Sequence, residues 1–242
     1  MPAVPVESVE AYRIGSIDRS EVLRYLGYTG QEIAPELDRR IDAVVARALS
    51  VARPRGCVAV FDVAGVERRG DGSPVVRLAG AALELEGSSI AAHLDGARAV
   101  GVLAVTIGMG VERELRRLSL VDPVEQVIFD SCVSTIVERA ADAAEASLMA
   151  RAHERGLYTN SRFSPGYGDL PMEIQPTLLA AVNAQRRLGI TLTSTNLMMP
   201  TKSVTAVVGM FDTPQPTGHV SCKGCLCYEF CNIRPTGRTC RD

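Results

Sequence analysis

Three groups of residues in the 242-residue chain have types and spacings suited to chemistry. The first is the segment Ser161–Pro171, "SRFSPGYGDLP". Proline fixes φ at the second position of a type II turn and glycine supplies positive φ at the third, so Pro165-Gly166 predicts a tight turn. Beside it, Arg162 offers a planar fork for a carboxylate or phosphate. Tyr167 adds a π-face and a hydroxyl. The second group is Asp130, Ser134, Glu138, Asp142 and Glu145. Steps of three and four place these on one helix face, where like charges repel by a few tenths of a kcal/mol per pair. Such a row is either a solvated face tempered by Arg139 or a place where one carboxylate, Glu138 first, accepts from a ligand ammonium.

The third group is Cys222, Cys225, Cys227, Cys231 and Cys240, five of the seven cysteines. Their Cys-x2-Cys-x-Cys-x3-Cys-x8-Cys spacing matches neither a standard zinc finger nor a bacterial ferredoxin run. Clustered thiolates suit zinc or an iron–sulfur cluster, with redox-active free thiols as the alternative. His219 is near enough to serve as a further ligand. Cys57 and Cys132 lie alone in apolar stretches and read as small buried hydrophobes. A fourth pattern, Gly108-Met109-Gly110 between an apolar strand and a helix, has the local order of a nucleotide-binding turn. Arg113 stands where its third glycine belongs, and no acidic strand end follows, so this reads as a structural turn.

The elements that must position these groups are legible from periodicity. "VESVEAYRI" predicts a short strand, "SIDRSEVLRYLGY" a capped helix, and Gln31 to Val51 a helix with Ile33, Leu37, Ile41, Val44, Val45, Ala48 and Leu49 on one face. "CVAVFDVAGVER" and "VVRLAGAALEL" predict strands joined by the turn "RGDGSP". A short helix at "SSIAAHLDGA" and a buried strand at "AVGVLAVTIG" follow. Asp122 as N-cap, Pro123 at the first helical position and Glu125 at capping-box spacing begin a helix expected to run to about Arg155. After it come a strand near "LYTNSRF", the opening loop, a helix around "IQPTLLAAVNAQRRLG", and strands "ITLTST" and "SVTAVVGMF".

The expected class is α+β: a twisted, mostly antiparallel or mixed sheet with packed helices, one of them long, and a Cys-rich C-terminal tail. The expected division is a main domain over residues 1–213 and a linker plus metal-binding tail over 214–242. A net charge of −2 argues against a nucleic-acid partner, which would need a basic face. No apolar run is long enough to span a bilayer and the first residues lack a signal-peptide pattern, so a cytoplasmic protein without membrane contact is expected.

"RFSPGYGD", a helix, and then "LGITLTSTNLMMPTKSVTAVVG" together resemble the activation domain of cobalamin-dependent methionine synthase, and more closely the stand-alone proteins that carry this domain. Thr193, Pro200, Ser203 and Val204 are the markers in the second segment. The resemblance spans most of residues 8 to 211, including "EVLRYLGY". It implies an S-adenosylmethionine-binding α+β domain that supports reductive methylation of cobalamin caught as Co(II). It implies that Arg162 takes the methionine-like carboxylate, that Ser164 and Gly166 contact the adenosine region, and that Tyr167 lies beside the ligand. Glu138 would take the ammonium, with Asp142 as second choice.

The cobalamin-binding signature Asp-x-His-x-x-Gly and the homocysteine and folate modules are absent from these residues. The resemblance therefore implies an accessory role on cobalamin held by a partner, with methionine synthase as first client and a corrinoid protein of one-carbon or demethylation metabolism as second. It also implies an electron donor, which favours iron–sulfur over zinc in the cysteine tail. A non-catalytic S-adenosylmethionine sensor or docking module, and a Rossmann methyltransferase using Gly108–Gly110, are the competing readings.

Overall fold

The computed structural model describes residues 8–215, so Cys222, Cys225, Cys227, Cys231, Cys240 and His219 lie outside the described residues. Strand β1 (Ser8–Ala11) leads to α1 (Arg19–Tyr25), whose Asp18 cap accepts from the Ser20 N–H. Helix α2 (Pro35–Val51) starts at its proline, four residues later than the apolar periodicity began, because proline suits the first helical position. Then come β2 (Arg55–Arg68), β3 (Pro74–Leu78), β4 (Glu84–Glu86), α3 (Ser88–His93) and β5 (Ala99–Thr106). The expected single strand "VVRLAGAALEL" is thus two antiparallel strands, β3 and β4.

Helix α4 (Met109–Val121) and helix α5 (Pro123–Glu154) follow. The Asp122 side chain accepts from the Glu125 N–H at 3.0 Å, as the capping spacing predicted. With no glycine or further proline inside it, α5 runs on for about 48 Å. The rest of the chain forms β6 (Tyr158–Thr159), a 3-10 turn (Met172–Ile174), α6 (Gln175–Ala181), α7 (Ala184–Leu188), β7 (Thr191–Leu192), β8 (Met198–Met199) and β9 (Ser203–Phe211). The helix expected at "IQPTLLAAVNAQRRLG" is broken in two, since Asn183 sits in the left-handed region at φ 53°.

The main sheet has the order β4-β3-β2-β5-β9-β6, with β1 paired to the first half of β2 and every pairing antiparallel. Strict alternation along the central strands explains the two cores. Val58, Leu103, Val105, Ala206 and Val208 face α2 and α5, while Cys57, Ala59, Val102, Ala104 and Val207 face α6 and α7. A strand buried on both faces reads as a continuous apolar run, and β5 is buried at all eight positions. The class is α+β, as the sequence indicated. The antiparallel neighbours of β5 also remove the Rossmann reading of Gly108–Gly110. A nucleotide-binding turn needs a parallel βαβ unit, whereas here the turn simply passes the chain from β5 into α4.

Candidate functional site

The loop from Ser161 to Pro171 is tightly built. Gly166 has φ 89° and the Tyr167 N–H donates to the Ser164 carbonyl at 3.0 Å, which is the type II turn that Pro165-Gly166 specified. The turn is closed again by Gly166 N–H to the Leu170 carbonyl and Leu170 N–H to the Tyr167 carbonyl. Upstream, Phe163 forms an isolated bridge to Val207 of β9, so the loop begins as one residue of extra sheet. Downstream, Asp169 accepts from the N–H groups of Ser88 and Ser89 at 2.6 and 2.9 Å, docking the loop on the start of α3. Slight burial pushes the Asp169 carboxyl upward, but the bonds from Ser89 and Ser88 outweigh it and hold the group below the usual carboxylate range.

A second set of contacts fixes the entry to the loop. The Asn160 amide donates to the His93 carbonyl at 2.7 Å and its oxygen accepts from the Gly209 N–H at 2.8 Å. The His93 Nε2 lies 2.9 Å from the Ser161 carbonyl, and its ring packs against Phe163 at a 45° tilt with centroids 4.9 Å apart. Burial lowers the His93 pKa, only partly opposed by the Ser161 bond. Phe163 in turn meets the edge of Tyr167 at 6.1 Å. Tyr167 is nonetheless 58% exposed, so its π-face is open to a flat partner.

Arg162 points away from these aromatics to the acidic face of α5. Its Nε lies 3.1 Å from Glu145, its Nη2 2.8 Å from Asp142 and 3.7 Å from Glu138. Glu145 also accepts from the Arg162 backbone N–H at 3.1 Å, so it clamps both the side chain and the chain direction. The remaining donor, Nη1, is buried and has no hydrogen-bond partner among the described residues. Farther along the same face, Lys202 bonds Asp130 and Ser134 at 2.8 and 2.9 Å. The expectation that Arg139 tempers this acidic row is corrected: Arg139 reaches Glu21 on α1 at 3.8 Å, and Arg162 and Lys202 supply the opposite charge.

The structure brings Arg162 to Glu138, Asp142 and Glu145 of α5, while Ser164, Gly166 and Tyr167 lie in the turn that follows Arg162 and make their contacts within the loop and with Phe163. Glu145 holds Arg162, and Asp169, Asn160 and His93 hold the loop to α3 and β9, without having been singled out for these roles. Glu145 was visible in the acidic row, but its partner lies 17 residues away across a turn. The markers Thr193, Pro200 and Ser203 are builders of turns. Thr193 Oγ1 accepts from the Thr195 and Leu197 N–H groups in the β7–β8 hairpin, and Ser203 Oγ donates to the Pro200 carbonyl at 2.7 Å. Cys57 and Cys132 are buried, and burial pushes the Cys132 thiol up to about 12, as expected of inert core cysteines. Among the described residues no group of three or more His, Cys, Asp or Glu side chains is placed to hold a metal, and no helix is long and apolar enough to cross a membrane.

The model of one family, the activation domain of vitamin B12-dependent methionine synthase, matches residues 89–217, more than half of the chain. This chain belongs to that activation-domain family. The matched stretch runs from the start of α3 past the end of β9 and so contains the loop, the acidic helix and the strand edge just described. Among solved structures, the activation-domain chain is similar to the crystal structure of the MetH reactivation domain bound to AdoHcy. The TM-score is 0.58 with 13% sequence identity, over 97% of this chain and 87% of that one. At that identity the likeness shows the fold. No curated protein matches the activation-domain sequence.

Proposed function

We propose that this activation domain binds S-adenosylmethionine beside Arg162 and supports reductive methylation of a cobalamin held by a partner protein, with a cobalamin-dependent methionine synthase as the first client. The observation that carries this reading is the Arg162 cluster inside the family-matched segment. Two exposed carboxylates flank a guanidinium whose Nη1 is unpartnered, and the formed Ser164–Tyr167 turn with its exposed tyrosine follows two residues later in the chain. A buried donor without an acceptor costs about 1–3 kcal/mol, a cost that a ligand carboxylate on Nη1 would offset. The similar MetH reactivation domain, solved with AdoHcy bound, supports a ligand of this class.

In this reading Arg162 holds the ligand carboxylate and Glu138, 51% exposed, accepts from its ammonium, with Asp142 beside it. Backbone groups around Ser164 and Gly166 orient the adenosine, and Tyr167 stacks on or flanks it. Bound S-adenosylmethionine supplies the methyl group, while an electron donor supplies the electron that takes Co(II) to the nucleophilic state. The protein's own part is positioning: Glu145 fixes the guanidinium and Asp169 fixes the loop. A cytoplasmic setting, where a reduced donor is at hand, suits this chemistry.

The cysteine tail belongs to the same proposal on sequence grounds. Cys222, Cys225, Cys227, Cys231 and Cys240 would hold an iron–sulfur cluster that relays the electron, with structural zinc as the alternative. The function is tested by incubating the protein with a Co(II) corrinoid partner, reductant and S-adenosylmethionine. Methylation that depends on the protein and is lost in Arg162→Ala is expected. Unchanged methylation upon adding or omitting the protein, with S-adenosylmethionine still bound, would mark a sensor or docking module instead.

A further inference from the structure

The three carboxylates around Arg162 are not equivalent. Glu145 is only 21% exposed and bonds both the backbone and the Nε of Arg162, so of the three it is the one that holds the side chain in place. Asp142 and Glu138 add two more negative charges, at 2.8 and 3.7 Å from Nη2, and both are more than half exposed. No other cation relieves them among the described ion pairs. Arg139, next to Glu138 in sequence, is turned to Glu21, and Lys202 is spent on Asp130 and Ser134. The cluster therefore holds one cation and three carboxylates, an excess of two negative charges on its open side.

We infer that Glu138 and Asp142 act as a charge filter, making the site select the cationic sulfonium form of its ligand over the neutral thioether. This rests on the proposed S-adenosylmethionine site. S-adenosylmethionine and S-adenosylhomocysteine share the same zwitterionic end and the same adenosine. They differ at sulfur, which carries a methyl group and a full positive charge in the first and neither in the second. When the methyl group leaves as a cation equivalent, sulfur keeps the carbon–sulfur bonding pair and its charge disappears. The attraction to the surplus carboxylates disappears with it, so the same two residues that favour the methyl donor favour release of the spent product. Glu138 can meet the ammonium and still contribute to this filter, because the ammonium is present in both ligands and cancels in their ratio.

The size follows from Coulomb's law. A unit charge about 7 Å from a half-exposed carboxylate, at an effective dielectric of about 40 between protein and water, is favoured by about two- to fourfold after salt screening. Two carboxylates acting together give a preference on the order of four- to sixteenfold, the larger value at low salt.

The test is equilibrium binding of S-adenosylmethionine, S-adenosylhomocysteine and sinefungin, whose amine replaces the sulfonium with another positive charge. The wild type is compared with Glu138→Gln, Asp142→Asn and the double variant. Both side chains are exposed, so the variants should fold, and melting temperature confirms that they do. At about 0.02 M salt the wild type should bind S-adenosylmethionine and sinefungin about tenfold more tightly than S-adenosylhomocysteine. Each substitution should lower that ratio about two- to fourfold, and raising salt from about 0.02 to about 0.5 M should lower it as well. Equal affinities in the wild type, or a ratio that neither substitution moves, overturns the filter while leaving the ligand site standing. Failure of all three ligands to bind the wild type overturns both.

Discussion

Gly168→Ala is the substitution whose consequence the structure specifies most closely. Gly168 has φ 52°, and a Cβ there would lie 2.6 Å from both Cβ and Oγ of Ser89. A left-handed conformation costs an alanine about 1–2 kcal/mol. The overlap adds an overpacking cost of about 1–3 kcal/mol, because Ser89 cannot retreat: its N–H is held by Asp169, one residue from the substitution. The two add to about 2–5 kcal/mol. For a protein of this size each kcal/mol lowers the melting temperature by about 2–4 °C, so a fall of about 4–20 °C is expected if the loop stays docked. If it undocks, melting changes less, and exchange protection at the Ser88, Ser89 and Tyr167 amides is lost together with ligand affinity. Calorimetry and hydrogen exchange distinguish the two. Gly15→Ala, with nothing within 4 Å of its Cβ, is the control. A Gly168→Ala protein that melts like the control and keeps those amides protected would refute the docking of this loop on α3.

Other outcomes follow from the same contacts. Asp169 has its pKa depressed in the folded state, so its contribution is present above the ordinary carboxylate pKa and is lost as pH falls through the lower folded value. The stability gap between wild type and Asp169→Asn in urea denaturation should therefore be full at pH 7 and close in acid below about pH 4. His93 is also depressed, by burial, so its neutral form stabilises the fold above the ordinary histidine pKa, and stability falls as pH drops below about 6. Thermal scans across that range should show the loss in the wild type and not in His93→Gln. Protein purified without oxygen should carry iron and sulfide with a visible charge-transfer band that disappears when Cys222, Cys225 and Cys227 become Ser. Stoichiometric zinc and a colourless protein would remove the electron relay.

How much of this was legible in sequence depends on range. Local rules placed the type II turn, because proline and glycine each fix one dihedral angle, and placed the Asp122 cap and the long helix, whose signals lie within a few residues. The apolar runs marked the central strands, but that their alternate residues feed two separate cores emerged only from the packing. The break of α6 from α7 was not, since it rests on Asn183 adopting a conformation that only tertiary packing selects. The hairpin strand β8, two residues long, has no periodicity to read. Glu138, Asp142 and Glu145 could be put on one face from their spacing, yet nothing local says that Arg162 rather than Arg139 would meet them. That choice is made where α5 passes beside the loop bridged to β9. His93, Asn160 and Asp169 escaped for the same reason: their partners lie 49 to 81 residues away.

Titration of S-adenosylmethionine into the wild-type protein and into Arg162→Ala, followed by calorimetry, tests the central claim most directly. One equivalent bound by the wild type, with affinity at least tenfold weaker in the variant at unchanged fold, is the predicted result. No binding to the wild type, or equal binding to both proteins, would contradict it.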